Sequence, residues 1–331
     1  MPLNKTGIEW CRTSSNPLRA RLRSGVSPWK LRDGWHCEKV SPGCLNCYAE
    51  TIAKRLWTPK SSFTHHFTDQ VELFVHEPSL MDIALAQPNS DIFACDMTDL
   101  FQDAVSDLQI AQILMGIRFS LSQVKVLTKR PERALNLFQR KYWHDWSKDR
   151  KAYQGMLDLV GLAESGKYPK SASANLIHRV RENYGSEFWP PKNLWLGVSV
   201  EDQKRAEERI PILKKIPAKR RFLSMEPLLE RVHLTPELLE GIDWIVVGGE
   251  SGPKARPCNA VWVMNTIMEC RDAGVPVFVK QLGSNPDFTG WLPLPGETRP
   301  NQEAIRNHKG GEMIFWPERL RVGETIQGYQ G

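Results

Sequence analysis

The sequence predicts an α/β fold, a partial or complete (β/α) barrel of the TIM type carrying basic insertions, and three observations predict it. Short apolar, β-branched runs recur along the chain, each ending in polar residues. Stretches with apolar residues at helical spacing separate them. The chain has 331 residues, enough for one decorated barrel as well as for two domains of about 150 residues.

The strands follow in order. Gly7-Ile8-Glu9-Trp10 supplies a first one, and Asp91-Ile92-Phe93-Ala94-Cys95-Asp96 and Val124-Lys125-Val126-Leu127-Thr128-Lys129 come next. Leu194-Trp195-Leu196-Gly197-Val198-Ser199 and Arg221-Phe222-Leu223-Ser224-Met225-Glu226 continue the series. Trp244-Ile245-Val246-Val247-Gly248-Gly249-Glu250 and Val277-Phe278-Val279-Lys280-Gln281 end it. Runs without clean alternation are what parallel strands buried on both faces look like, although a doubly wound open sheet shows the same pattern. Leu108 to Phe119 and Trp262 to Ala273 read as helices, the second stopped by Gly274 with Pro276 beyond. In either architecture chemistry collects where parallel strands end. Those ends hold Asp96, Lys129, Arg130, Ser199, Glu201, Glu226, Glu250 and Lys280.

Residues 1–283 are therefore expected to form the barrel, with insertions at 18–36 and about 134–192, and residues 284–331 a C-terminal extension rich in Pro and Gly. Leu18 to His36 shows no periodicity and carries Arg19, Arg21, Arg23, Lys30 and Arg32 against Asp33 alone. Residues 125–192 hold 14 Lys plus Arg and 7 Asp plus Glu. The whole chain has 44 cations and 38 acids, a net +6, so these two stretches exceed the total excess and the remainder is net negative.

With 41% hydrophobic and 25% charged residues and no long apolar run, the composition excludes disordered, collagenous and membrane-spanning classes. Met1-Pro2-Leu3-Asn4-Lys5 leads into no apolar or Arg-rich targeting segment, which predicts a cytoplasmic protein. Seven cysteines, an odd number in a long chain, read as reduced thiols.

Three of them lie within eleven residues, in Cys37-Glu38-Lys39-Val40-Ser41-Pro42-Gly43-Cys44-Leu45-Asn46-Cys47. A Cys-x6-Cys-x2-Cys loop with Pro-Gly at its centre folds back so that three sulfurs converge. The helix expected directly after Cys47 points its amide dipole at the same place and favours thiolates. Three cysteines suit an iron–sulfur cubane that keeps one iron open. A four-ligand zinc site completed by Cys11, His36, His65 or His66 fits the spacing equally. Cys95, Cys258 and Cys270 lie in apolar contexts and read as core residues.

Lys5-Thr6-Gly7-Ile8-Glu9-Trp10, Asn16-Pro17 and the stretch from Cys37 to Tyr48-Ala49-Glu50 resemble the phage gene-product 37/68 family, catalogued as domain of unknown function 5131. The resemblance continues through Leu127-Thr128-Lys129-Arg130-Pro131-Glu132-Arg133, Leu196 to Glu201, Ser224-Met225-Glu226-Pro227-Leu228-Leu229, Val247 to Gly252 and Ala255-Arg256-Pro257, as far as Lys280-Gln281. That family looks like a divergent branch of the radical S-adenosylmethionine enzymes. The resemblance implies a [4Fe–4S] cluster on Cys37, Cys44 and Cys47, S-adenosylmethionine on the open iron, and an external electron donor. Reductive cleavage would then yield a 5′-deoxyadenosyl radical that abstracts hydrogen from a substrate. Two departures stand out. The common loop of such enzymes is Cys-x3-Cys-x2-Cys, and residues 18–36 separate Asn16-Pro17 from the first cysteine.

Under that resemblance Asp96 is placed to accept hydrogen bonds from the cofactor's ammonium, and Lys129 or Arg130 to pair with its carboxylate. Ser199 and Glu201 suit its ribose, while Glu226, Glu250 and Lys280 are expected to meet the substrate or transfer protons. Trp29, Trp35, Trp143, Trp146 and Trp189 lie in or beside the basic stretches. Cations interleaved with aromatics suit a nucleic-acid strand, so base modification or repair is the leading expectation. A radical enzyme acting on a small molecule or a protein, and a zinc-stapled nucleic-acid binding protein or hydrolase, are the alternatives.

Overall fold

Six of the seven expected runs become strands, and those in the middle of the sheet are buried on both faces, which is why the runs lack alternation. In the computed structural model the strands are β1 (Asn4–Lys5), β2 (Thr13–Ser15), β3 (Leu18–Leu22), β4 (Val71–Val75), β5 (Ile92–Ala94) and β6 (Val124–Thr128). They continue as β7 (Leu194–Ser199), β8 (Arg220–Met225), β9 (Trp244–Gly248), β10 (Cys258–Asn259), β11 (Val277–Gln281) and β12 (Pro286–Asp287). The structure describes residues 4–5, 10–23, 33–139, 150–183, 191–297, 300–307 and 311–324.

The main sheet has the order β1-β2-β5-β6-β7-β8-β9-β11. β1 is antiparallel to β2, and the other seven strands are mutually parallel and curl into a half-barrel. β1 and β11 remain its two ends, so among the described residues the barrel is partial and does not close. The first parallel strand is Thr13–Ser15 rather than the expected Gly7–Trp10, of which residues 7–9 lie outside the described residues.

The helices are α1 (Tyr48–Leu56), α2 (His65–Thr68), α3 (Glu77–Ala84), α4 (Asp107–Phe119), α5 (Pro131–Phe138), α6 (Arg150–Glu164), α7 (Lys170–Glu182), α8 (Gln203–Lys215), α9 (Pro236–Leu239), α10 (Ala260–Asp272) and α11 (Gln302–Asn307). No helix of the described residues is long and apolar enough to cross a membrane. Ser106 and Gln109 form a capping box that starts α4, and Gly274 in the left-handed region follows the end of α10.

One face of the strands, with Ile92, Val124, Val126, Leu196, Val198, Leu223, Ile245, Val247, Val277 and Val279, packs on the helices in the main core. The alternate residues fill the concave side. Trp10, Phe93, Trp195, Phe222 and Trp244 stack there, with Leu127 and Phe278 at the margin. Ring centroids of Trp10 lie 4.8 Å from Phe93 and 5.9 Å from Trp244. Lys125 is buried below this plug, paired with Asp91 and 5.0 Å from the Trp195 ring. The interior of the half-barrel is therefore filled, and the C-terminal ends of the strands form a polar rim.

The described parts of the two basic stretches hold regular elements. Leu18–Leu22 alternates after all, with Leu18 and Ala20 fully buried and Arg19 and Arg21 on the other face, and pairs antiparallel with β4. The alternation is five residues long and was hidden by the irregular sequence after it. After α5, the second stretch supplies α6 and α7, which share a separate core with α3 and α4 through Leu80, Met115, Phe119, Met156, Leu159 and Leu176. Beyond Gly283 the chain does more than cover, because Trp291, Ile305, Trp316, Leu320 and Val322 enter the main core. The Val279 N–H donates to Val322 O at 2.8 Å, so the tail also lines the free edge of β11.

Candidate functional site

The three cysteines of the loop arrive at the strands' C-terminal end from three local structures. Cys37 leaves the segment that bridges to β3, Cys44 ends a single 3-10 turn at Pro42–Cys44, and Cys47 is the N-cap of α1. Cys37 and Cys47 are within electrostatic reach of one another, as are Cys47 and Cys44, so the three belong to one neighbourhood. Burial pushes the Cys37 thiol up to about 12, Asp99 adds to this, and the Arg130 guanidinium opposes it. Burial also raises Cys47, against the N–H groups of Glu50 and Ala49 that point at its sulfur. The expected helix effect is thus present and is outweighed by desolvation. Such thiols keep their protons near neutral pH until a cation takes the proton's place. Among the described residues no three His, Cys, Asp or Glu side chains already stand in metal-binding geometry. The donor set, three neighbouring thiols with backbone N–H groups and cationic side chains turned toward them, suits an anionic iron–sulfur cluster.

Two buried carboxylates clamp the loop. Glu201, at the end of β7 and fully buried, receives Ser41 Oγ and the Gly43 N–H (3.3 Å) on one oxygen and Arg209 (2.9 Å) on the other. Glu250, beyond β9, accepts from Asn46 (3.0 Å) and from the Arg256 guanidinium (2.6 and 3.0 Å). Arg256 also reaches Pro42 O at 2.9 Å. Burial would raise both carboxyls, but Lys129, Arg209 and Ser41 hold Glu201, and Arg256 and Asn46 hold Glu250, below the usual range. Ser41, Asn46, Arg209 and Arg256 escape a reading by strand ends. Ser41 and Asn46 stand in the cysteine loop and Arg256 in the Ala255-Arg256-Pro257 segment, whereas Arg209 had no signal.

Asp99 is a further missed residue. It accepts from Thr128 Oγ1 (2.8 Å), the Lys129 N–H (2.9 Å) and Arg130 (3.2 Å), and Arg130 in turn donates to Glu38 O at 2.9 Å. Arg130 is thereby fixed against the first cysteine. Lys129 turns the other way and donates to Ser199 Oγ at 2.7 Å. Asp96 lies across the rim, held by Asn16 at 2.6 Å, with its carboxyl pushed up by burial against that bond. Cys95, just before it, has φ of 62°, an uncommon backbone for a non-glycine residue. Glu226 and Lys280 pair at 3.1 Å, and Trp10 Nε1 (3.2 Å) and Ser224 Oγ (3.4 Å) also donate to Glu226. The rim therefore gathers Asp96, Lys129, Ser199, Glu226 and Lys280, whereas Glu201, Glu250 and Arg130 are engaged with the loop. A cleft of about 570 Å³ opens beside it, lined by Val40, Asp103, Lys129, Arg130, Glu132 and Arg133 among others.

The other candidate ligands Cys11, His36 and His65 have partners of their own. Cys11 is at the opposite end of the strands, its thiol on Thr13 O and Asp91 O. His36 is buried, bonded to Thr68 and packed on Phe63 and Phe67, and His65 bonds Glu38. Cys95, Cys258 and Cys270 are buried in the main core. Of the aromatic residues expected near nucleic acid, Trp35 is described, while Trp29, Trp143, Trp146 and Trp189 lie outside the described residues.

A family model described as a protein of unknown function (DUF5131) matches residues 5–314. No curated protein matches the chain, and no solved structure does.

Proposed function

This chain belongs to the DUF5131 family, and we propose that it is a radical S-adenosylmethionine enzyme that modifies or repairs nucleic acid. What supports the reading is that two buried carboxylates, Glu201 and Glu250, are spent on holding the loop of Cys37, Cys44 and Cys47 at the strand ends of a half-barrel. A [4Fe–4S] cluster bound there with S-adenosylmethionine would supply one-electron reductive cleavage of that cofactor and, from it, hydrogen abstraction from the substrate.

The chain's own residues have separate tasks. Glu201 with Arg209, and Glu250 with Arg256, fix the loop so that the three sulfurs keep their places. Asp99 orients Arg130, whose charge favours the thiolate form of Cys37. Asp96 takes the ammonium of the amino-acid moiety and Lys129 its carboxylate. Ser199 is left for the ribose, because both oxygens of Glu201 have partners. Glu226, oriented by Trp10, Ser224 and Lys280, is the proton-transfer group facing the substrate. The aromatic plug excludes water from below, so the reacting group must enter from the open rim.

Anaerobic purification followed by iron, sulfide and zinc analysis and by assay for reductive release of 5′-deoxyadenosine tests this. About four iron atoms per chain and dithionite-dependent cleavage are expected. Stoichiometric zinc without iron would overturn the reading. Turnover of a small molecule by a chain that ignores polynucleotides would overturn the substrate class.

A further inference from the structure

We infer that the small sheet of β3 and β4 is the landing face for a single-stranded polynucleotide and leads it to the cysteine loop. The inference rests on the proposed nucleic-acid substrate and deepens it.

β3 begins three residues after the end of β2, and between them Asn16 holds Asp96 on the rim. The sheet therefore grows directly out of the site. Its inner face is apolar, with Leu18, Ala20 and Val71 buried against the neighbouring helices and strands. Gly34 bridges to Ala20 on the far side, and a Cβ there would lie 2.1 Å from the Trp57 ring, so only glycine lets that segment seat.

The other face carries arginines lying over rings. The Arg21 guanidinium carbon is 3.8 Å from the Phe74 ring centroid and that of Arg19 is 5.1 Å from the Trp35 ring. Arg23 extends the row at the strand end, where Arg21 and Arg23 are both exposed. Glu72 is the cross-strand neighbour of Arg21, yet Arg21 lies over Phe74, while Arg19 donates to Asn16 O at 3.4 Å and is within electrostatic reach of Asp33. Exposed guanidinium groups such as those of Arg21 and Arg23 present N–H edges to phosphate oxygens, and a guanidinium plane held over a ring offers its outer face to a base. An acidic protein would be met by the charges but would leave the rings unused. A duplex keeps its bases stacked internally and offers only its backbone.

The row has a direction. Trp35, under Arg19, stands two residues before Cys37. A strand laid from Arg23 past Arg21 to Arg19 thus arrives at the first cysteine, where a base can turn onto the rim above the aromatic plug.

Fluorescence anisotropy of the full chain with a labelled single strand of about 20 nucleotides, a matching duplex and polyglutamate, between about 50 and 200 mM salt, tests the face. The single strand should bind more tightly than the other two. Arg21→Gln with Arg23→Gln should weaken it at least about fivefold and reduce the salt slope by about 1.4, two phosphate contacts at about 0.7 each. Phe74→Leu should weaken it about threefold without altering the slope. Equal binding by the native chain and the exposed Arg21→Gln/Arg23→Gln variant, preference for duplex or polyglutamate, or no binding at the lowest salt would overturn the inference. Iron analysis of the same samples separates the two proposals. Strand binding without iron removes the cluster and keeps the face, and iron without strand binding does the reverse.

Discussion

Glu201 and Arg130 show how single side chains at this site are spent. Both stand at strand ends, where a free ligand group would be expected, and both are instead bound into the walls of the cysteine loop. A charge buried this way is retained only while its partners neutralise it. The two loop carboxyls are held below the ordinary glutamate value of about 4.5, so the unfolded chain binds their protons first. Their stabilisation is therefore complete above about pH 4.5 and is lost as pH falls through the lower folded values. Urea midpoints should drop steeply below that pH, and Glu250→Gln should flatten this acid limb while costing about 1–3 kcal/mol at pH 7. An unchanged acid limb in the variant would contradict the clamp. The cysteines divide just as sharply. Cys44→Ala should lower bound iron at least about tenfold with an unchanged circular dichroism spectrum, whereas Cys11→Ala, at the other end of the strands, should keep its iron. Loss of iron from both would mean that the metal follows stability and not the loop.

At the scale of elements, the concave side of the half-barrel is built by exchange of volume between neighbouring strands. Gly197 in β7 is in register with Phe222 in β8, and a Cβ on Gly197 would lie 2.5 Å from that ring. Gly197→Ala should cost about 1–3 kcal/mol in denaturant titration, because the plug has no slack. Gly161 in α6 has nothing within 4 Å of its missing Cβ, and Gly161→Ala should be neutral or stabilise by up to about 1 kcal/mol. A larger loss at Gly161 than at Gly197 would refute a packed plug. Strands and strand ends were legible in the sequence because burial on both faces writes itself as an unbroken apolar run, and Leu194–Ser199 and Val277–Gln281 fall on the residues expected. β2 was not legible, since Thr13-Ser14-Ser15 is polar and is a strand through its pairing with β1 and β5. The clamps were equally hidden, since Ser41 with Glu201 and Asn46 with Glu250 join residues some 160 and 204 apart, and no local pattern encodes that.

Over the whole molecule the partial barrel creates a problem that the C-terminal segment solves. An open parallel sheet ends in unpaired N–H and C=O groups, here on β11. Val322 and Gly323 meet that edge, Glu324 O accepts from Trp244 Nε1 at 3.0 Å, and Trp316 and Leu320 close the core beneath. Composition alone made this segment look like a cover, because its Pro and Gly content conceals a few large residues placed far apart. Burying Trp316, Leu320 and Val322 is worth about 1.5–3 kcal/mol each, a sum close to the whole stability of an ordinary domain, about 5–15 kcal/mol. A chain ended after Glu312 should therefore lose its cooperative thermal transition and self-associate through β11, as measured by calorimetry and light scattering. A soluble monomer of that length melting within about 5 °C of the full chain would show that the half-barrel closes its own edge.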